Sequence, residues 1–165
     1  MGGINFQGNV RNIAVYILLS LGLLGITVGT ILGQKQDKDF REDYQAFVSA
    51  DYNLAAGNIS SAAPVLASLA DRYPNSYNVI WDYGLSLLAQ GEYLGADKYL
   101  TQVKVQHPFI INNDLFLLQY GTLQFDQGRY QMAEKYLLRL KQISQDPLLM
   151  QRADIQLKKI ETGLH

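Results

Sequence analysis

The chain has 165 residues, 14 Lys+Arg against 15 Asp+Glu, a formal net charge of −1 and no cysteine. That length suits one domain with an appendage, and the charge balance offers no basic surface to a nucleic acid. The missing cysteines exclude disulfides, thiolate catalysis and cysteine metal sites.

Residues 1–12 form a polar, glycine-rich tail whose one charge is Arg11. Its start, MGGINF, does not fit N-myristoylation, because Phe6 stands where Ser or Thr is needed. From Ile13 to Gly33 the chain runs for 21 residues without a charge. At ~1.5 Å per residue this spans roughly 30 Å, the thickness of a hydrocarbon core. A signal peptide would have a shorter apolar run, a more basic start and an A-x-A-like cleavage site. Residues 13–33 are therefore expected to be a single transmembrane helix in the lipid bilayer. Gly22, Gly25, Gly29 and Gly33 fall on one face of it. Such a tandem GxxxG lets another transmembrane helix, from a second copy or a partner subunit, approach to backbone contact. Arg11 precedes the segment, while Lys35, Lys38 and Arg41 follow it, so the carboxyl-terminal part is expected on the cytoplasmic side.

Residues 34–42 read as a juxtamembrane linker. No proline or glycine occurs between Gly33 and Gly57, and Phe40, Tyr44 and Phe47 recur at helical spacing. A helix is expected to run through the linker into the next element without a flexible tether.

The stretch Tyr77–Ile110 then reads as two amphipathic helices joined by a turn at Gln90-Gly91. Numbered as a 34-residue unit, it has small residues at positions 8 (Gly84), 15 (Gly91) and 20 (Ala96). Bulky residues stand at 4 (Ile80), 7 (Tyr83), 11 (Leu87), 17 (Tyr93) and 24 (Leu100), with Pro108 at 32. Antiparallel helices approach closely where one presents a small residue to the other, here Gly84 against Ala96. Upstream, Gly57 and Pro74 lie 34 residues before Gly91 and Pro108, which sets a unit at 43–76 with Ala50, Ala62, Leu66 and Leu69 in equivalent places. Downstream, Gly128 follows Gly91 by 37 residues. With Ile111–Asn113 inserted, a unit at 114–147 places Gly121, Tyr130, Ala133, Leu137 and Leu140 on the pattern.

This arrangement resembles the tetratricopeptide repeat (TPR). The resemblance covers about two-thirds of the chain, and the first unit departs from it at Ala46, Ser49 and Asn53. It implies an all-α fold: an N-terminal transmembrane helix (13–33), then a three-repeat TPR α-solenoid (43–76, 77–110 and 114–147), then a capping helix and tail (148–165). In the first unit Asn58-Ile59-Ser60 is formally a glycosylation sequon, but its turn position reads as capping. With Ser60 or Ser61 as N-cap, Pro64 would fall harmlessly in the first turn. In the last helix Asp146 is expected as N-cap, Pro147 as the first helical residue and Gly163 as the stop. Leu149, Ala153, Leu157 and Ile160 share one face of that helix, as a solvating cap requires.

No HExxH, P-loop or GxSxG motif is present, and His107 and His165 are far apart. Asp97, Asp126 and Glu134 read as isolated charges on outer faces or turns. No catalytic residue, metal site or cofactor is expected, and the chain reads as non-enzymatic. Tyr83, Tyr93, Tyr120 and Tyr130 occupy packing positions rather than a stacking platform.

In TPR arrays the first helix of each repeat lines a concave groove. Carried over residue by residue, the resemblance implies a protein-binding groove of Tyr44, Phe47, Asn78, Trp81, Leu85, Leu88, Leu115, Leu118 and Phe125. Asp51, Leu54 and Thr122 complete its rows. Those first helices hold no Lys or Arg, so the family's clamp for a terminal carboxylate is missing. An amphipathic helix or apolar segment fits such a groove better than an acidic tail. The expected function is protein–protein interaction as an accessory or structural subunit of a membrane protein complex. The alternative is a reversible adaptor or assembly factor of a membrane translocation or assembly machine.

Overall fold

The computed structural model of the chain describes residues 33–163, which are helices and turns with no strand among them. The chain divides into two units, Met1–Gln45 and Ala46–His165. In the first, residues 33–45 are helical and largely exposed. Lys38 and Glu42 pair at 3.7 Å across one turn, and Arg41 Nε donates to the Asp37 carbonyl at 3.3 Å. Such exposed i,i+4 pairs contribute about 0.2–0.5 kcal/mol each. Among the described residues no helix is long and apolar enough to cross a membrane. The stretch expected to do so, 13–33, lies outside them except for Gly33, so Gly22, Gly25 and Gly29 lie outside as well.

The second unit takes in the end of helix α1 (33–55) and six further α-helices. These are α2 (Ile59–Arg72), α3 (Tyr77–Ala89), α4 (Tyr93–Gln106), α5 (Asp114–Asp126), α6 (Tyr130–Ile143) and α7 (Pro147–Thr162). A short 3-10 helix, Pro108–Asn112, separates α4 from α5.

One local device closes α1, α3 and α5. Gly57, Gly91 and Gly128 all adopt the left-handed region, with φ of 79°, 78° and 73°. The amide after each glycine bonds back into the helix: Asn58 to the Asn53 carbonyl at 2.8 Å, Glu92 to Leu87 at 2.9 Å and Arg129 to Gln124 at 2.9 Å. This is the Schellman closure, which a residue with a Cβ adopts only at a cost. It reverses the chain within a few residues, so α3 packs most extensively on α4 and α5 on α6. The second helices end without a left-handed residue. The amides of Tyr73, His107 and Ser144 each bond at 2.8 Å to the carbonyls of Leu69, Val103 and Leu140. All three of those residues are buried.

Within each hairpin a small residue meets a leucine. A Cβ built on Gly84 would stand 3.0 Å from Leu100 side-chain atoms, and one on Gly121 would stand 3.0 Å from Leu137. Gly84 therefore faces Leu100 most closely, rather than Ala96 as its spacing predicts, although Ala96 is fully buried beside it. Ala50, Ala62 and Leu66 form the corresponding cluster between α1 and α2. Each fully buried leucine is worth about 1.5–3 kcal/mol, so these contacts carry the hairpins.

Between hairpins the core continues through Leu69, Val79, Ile80, Val103, Phe116 and Leu123. Helix α5 buries seven of its thirteen residues and so is covered on more than one side. Helix α6 covers one side of it and α7 another. Ala153 of α7 is buried against Leu117, Leu118, Leu137 and Leu140, flanked by Leu149, Met150, Leu157 and Ile160. Asp146 caps α7, accepting from the amides of Leu148 (2.8 Å) and Leu149 (3.4 Å), and Gly163 ends it at φ 64°.

Two sequence expectations are corrected. Helix α2 begins at Ile59 with Asn58 as its N-cap, so Pro64 lies in the second turn instead of the first. Its ring leaves the Ser60 carbonyl without a helical donor, and Ser60 and Pro64 both lie on the exposed side, open to solvent. Asp97 is not isolated. It pairs with Arg129 at 2.8 Å and accepts from the buried Gln124 at 3.2 Å.

Candidate protein-binding groove

Helix α3 supplies the middle of the site. Asn78, Asp82, Leu85 and Ala89 follow one another at three- and four-residue spacing, which places them on one helix face beside Trp81. Phe47, Asp51, Leu54 and Ala55 of α1 stand on one side of that face with Ile59 of α2, and Leu115 and Gln119 of α5 on the other. Together with Arg152 of α7 they line an open cavity of about 800 Å³. A second cavity of about 380 Å³ shares Leu115, Gln119 and Arg152 with the first. It adds Leu88, Leu118 and Thr122, then Ile155, Gln156 and Lys159 from α7. The two make one largely apolar trough that also holds Asp51, Asn78, Asp82, Gln119, Arg152 and Lys159.

Trp81 is fixed on two sides. Its indole Nε1 donates to Gln119 Oε1 at 2.7 Å, and its ring meets Phe116 edge-on with centroids 5.6 Å apart. Phe116 stacks on Tyr120 at 5.5 Å, and Tyr120 meets Tyr136 edge-on at 4.8 Å. An aromatic chain thus runs from the trough through the core to the opposite face. There Lys104 donates to both tyrosine hydroxyls at 3.2 Å. Burial would depress the Lys104 ammonium, but the hydroxyls of Tyr136 and Tyr120 overcome this and leave its pKa raised. Trp81 therefore belongs to trough and core at once.

Gln156 donates to the Thr122 hydroxyl at 2.8 Å, which in turn donates to the Leu118 carbonyl at 2.8 Å. This tie holds α7 along the trough as its wall.

No protein-family model and no curated protein matches this chain.

The electrostatics of the trough centre on Asp82. Its carboxyl is pushed up from 3.8 to about 7, first by burial and then by the nearby charge of Asp51. Neither carboxylate has a hydrogen-bond or ion-pair partner among the described residues. Asp82 can hold or release a proton near neutrality, yet the residues lining its cavity include no serine, threonine or lysine nucleophile. On the far side, burial also raises Asp126, and Lys159 partly offsets this. Among the described residues no group of His, Asp and Glu is arranged to hold a metal ion.

Of the residues singled out from sequence, Phe47, Asn78, Trp81, Leu85 and Leu115 line the larger cavity with Asp51 and Leu54. Leu88, Leu118 and Thr122 line the smaller one. Leu118 contributes little surface, being only 5% exposed, because α7 covers α5 there. Phe125 lines neither cavity and packs its ring against Tyr130 at 5.5 Å. Tyr44 belongs to the other unit and is exposed. Sequence reasoning missed Asp82, Gln119 and which residues of α7 line the trough. Asp82 was discoverable from its phase with Asn78 and Leu85, and Gln119 from its place one turn after Leu115. The face of α7 beside its apolar stripe carries no such signal.

Proposed function

We propose that the chain is a membrane-anchored, single-pass TPR protein that holds another protein in the trough. In this reading it is a non-enzymatic accessory or structural subunit of a membrane protein complex. The lipid bilayer receives residues 13–33, and the Gly22–Gly25–Gly29–Gly33 face receives a neighbouring transmembrane helix. The repeat domain faces the cytoplasm.

The observation that carries the proposal is the trough itself. Trp81, Leu85, Leu88 and Leu115 come from two first-position helices and leave apolar surface open beside a rigid indole. Apolar concavities rimmed by polar groups are where partners dock, and a fixed tryptophan is the commonest kind of energetic anchor. The TPR assignment is supported by the recurring glycine closures at Gly57, Gly91 and Gly128, and by the leucines packed on Gly84 and Gly121.

The test is extraction of the intact protein from its membrane in mild detergent, followed by size and composition analysis. A partner co-purifying in fixed stoichiometry, and lost from a folded Trp81→Asp variant, supports the subunit reading. A free protein that binds added partner reversibly supports the adaptor reading. Retention of every partner by the variant refutes use of the trough. Replacement of Gly29 by Leu checks the anchor separately, since unchanged association removes the role given to the glycine face.

A further inference from the structure

We propose that the occupant of the trough is an amphipathic helix of a partner protein, carrying a lysine or arginine beside its apolar stripe, which seats against Asp51 and Asp82. The inference rests on the protein-binding reading of the trough and adds the chemistry of what it takes.

Three observations carry it. First, the two carboxylates stand on neighbouring helices in one cavity, with Leu54 and Leu85 among the apolar residues around them. They are near enough for the charge of Asp51 to act on Asp82. Second, neither is neutralised from within the protein, although a cation lines the same cavity. Arg152 of α7 makes no ion pair with them. Asp51 is exposed and Asp82 partly buried, and an ammonium or guanidinium from outside relieves the repulsion between them. Third, Asp51 and Asp82 line only the larger cavity and Lys159 only the smaller one, with Arg152 lining both. A basic side chain is therefore favoured in the larger cavity over the smaller one, which selects its position as well as its sign. The apolar remainder of the trough takes the stripe of the same helix.

The experiment uses the full-length chain in detergent and three short helical peptides with identical leucine stripes. They differ only in one residue at the edge of the stripe: lysine, glutamine or glutamate. Trp81 is the single tryptophan of the chain, so its emission reports the trough directly. The lysine peptide is expected to bind about tenfold more tightly than the glutamine peptide, and the glutamate peptide more weakly than either. In Asp82→Asn and Asp51→Asn variants the preference for lysine should shrink severalfold while binding of the glutamine peptide persists. Equal affinity for all three peptides overturns the cation inference and leaves the trough as an apolar binding site. No response of Trp81 to any peptide overturns both.

Discussion

Replacing Asp82 by asparagine should make the protein more stable at alkaline pH and leave it unchanged in acid. The sign follows from the raised carboxyl. Below pH ~4 Asp82 is protonated both in the folded protein and in the unfolded chain, and contributes nothing. Between about 4 and 7 the unfolded chain ionises it while the folded protein retains the proton, so folding is progressively penalised. Above 7 the penalty is complete. Its folded value of about 7 against 3.8 leaves roughly three pH units, each worth about 1.4 kcal/mol, or about 4 kcal/mol in all. Asparagine has the size of the neutral acid and no charge to desolvate. The variant should therefore match the parent at pH 4 and exceed it by up to about 4 kcal/mol at pH 8. Asp51→Asn, which removes the second cause, should recover a smaller part. Urea unfolding followed by Trp81 emission at the two pH values, at constant detergent, measures the difference as a shift of midpoint. A difference that does not change with pH, or an Asp82→Asn variant less stable than the parent at pH 8, refutes the reasoning.

Leu100→Ala should cost about 3 kcal/mol in thermal unfolding, because a fully buried side chain leaves a cavity at the closest approach of α3 and α4. Gly84→Ala places its methyl 3.0 Å from the same leucine and should cost about 1–3 kcal/mol. Part of that should return when Leu100→Val is added, and strict additivity would sink the contact. Gly91→Ala meets no atom within 4 Å, so it should cost only the left-handed conformation, about 1–2 kcal/mol, whatever stands at Leu100. Asp97→Ala should be worse than Arg129→Ala by about 1 kcal/mol or more. The first removes the acceptor of both the buried Gln124 amide and the Tyr120 hydroxyl, while the second removes a half-exposed cation and its longer 3.3 Å bond to Gln124 Oε1. Equal costs in denaturant titration would show that Asp97 acts through the ion pair alone.

The parts of the fold that were legible in the sequence are those set by a few neighbouring residues. Glycines at 57, 91 and 128 mark the helix closures because only the residue at that position has to be left-handed. Asp146 before Pro147 announces a helix start because cap and first-turn geometry are local. The small residues at 50, 84 and 121 point to close packing, though which leucine they meet depends on side-chain lean that spacing alone does not carry. What sequence reasoning missed depends on contact between distant elements. Leu118 lines the smaller cavity as its phase implies, but α7 returns over α5 and leaves it only 5% exposed. Arg152 and Lys159 enter the trough by the same return. Asp82 failed for another reason: one fixed register of helix positions excluded it, although its phase with Asn78 and Leu85 places it on the lining face.

Asp82 also bears on why the trough reads as a binding surface rather than an unfinished core. The neighbouring polar contact is already complete, since the Trp81 indole and Gln119 satisfy each other at 2.7 Å. A residue serving only the fold at position 82 gains nothing from a carboxylate, and asparagine or an apolar side chain would be more stable at neutral pH. The cost is of the same order as the cost of deleting a buried leucine, and no cation of the described chain offsets it. Carboxyls shifted this far cluster at functional sites, which is what the proposed binding role requires. A bound cation would return the carboxyl toward its ordinary range and recover much of the penalty. In the proposed complex that recovered free energy would become selectivity for a cationic partner, and the same residue would set both.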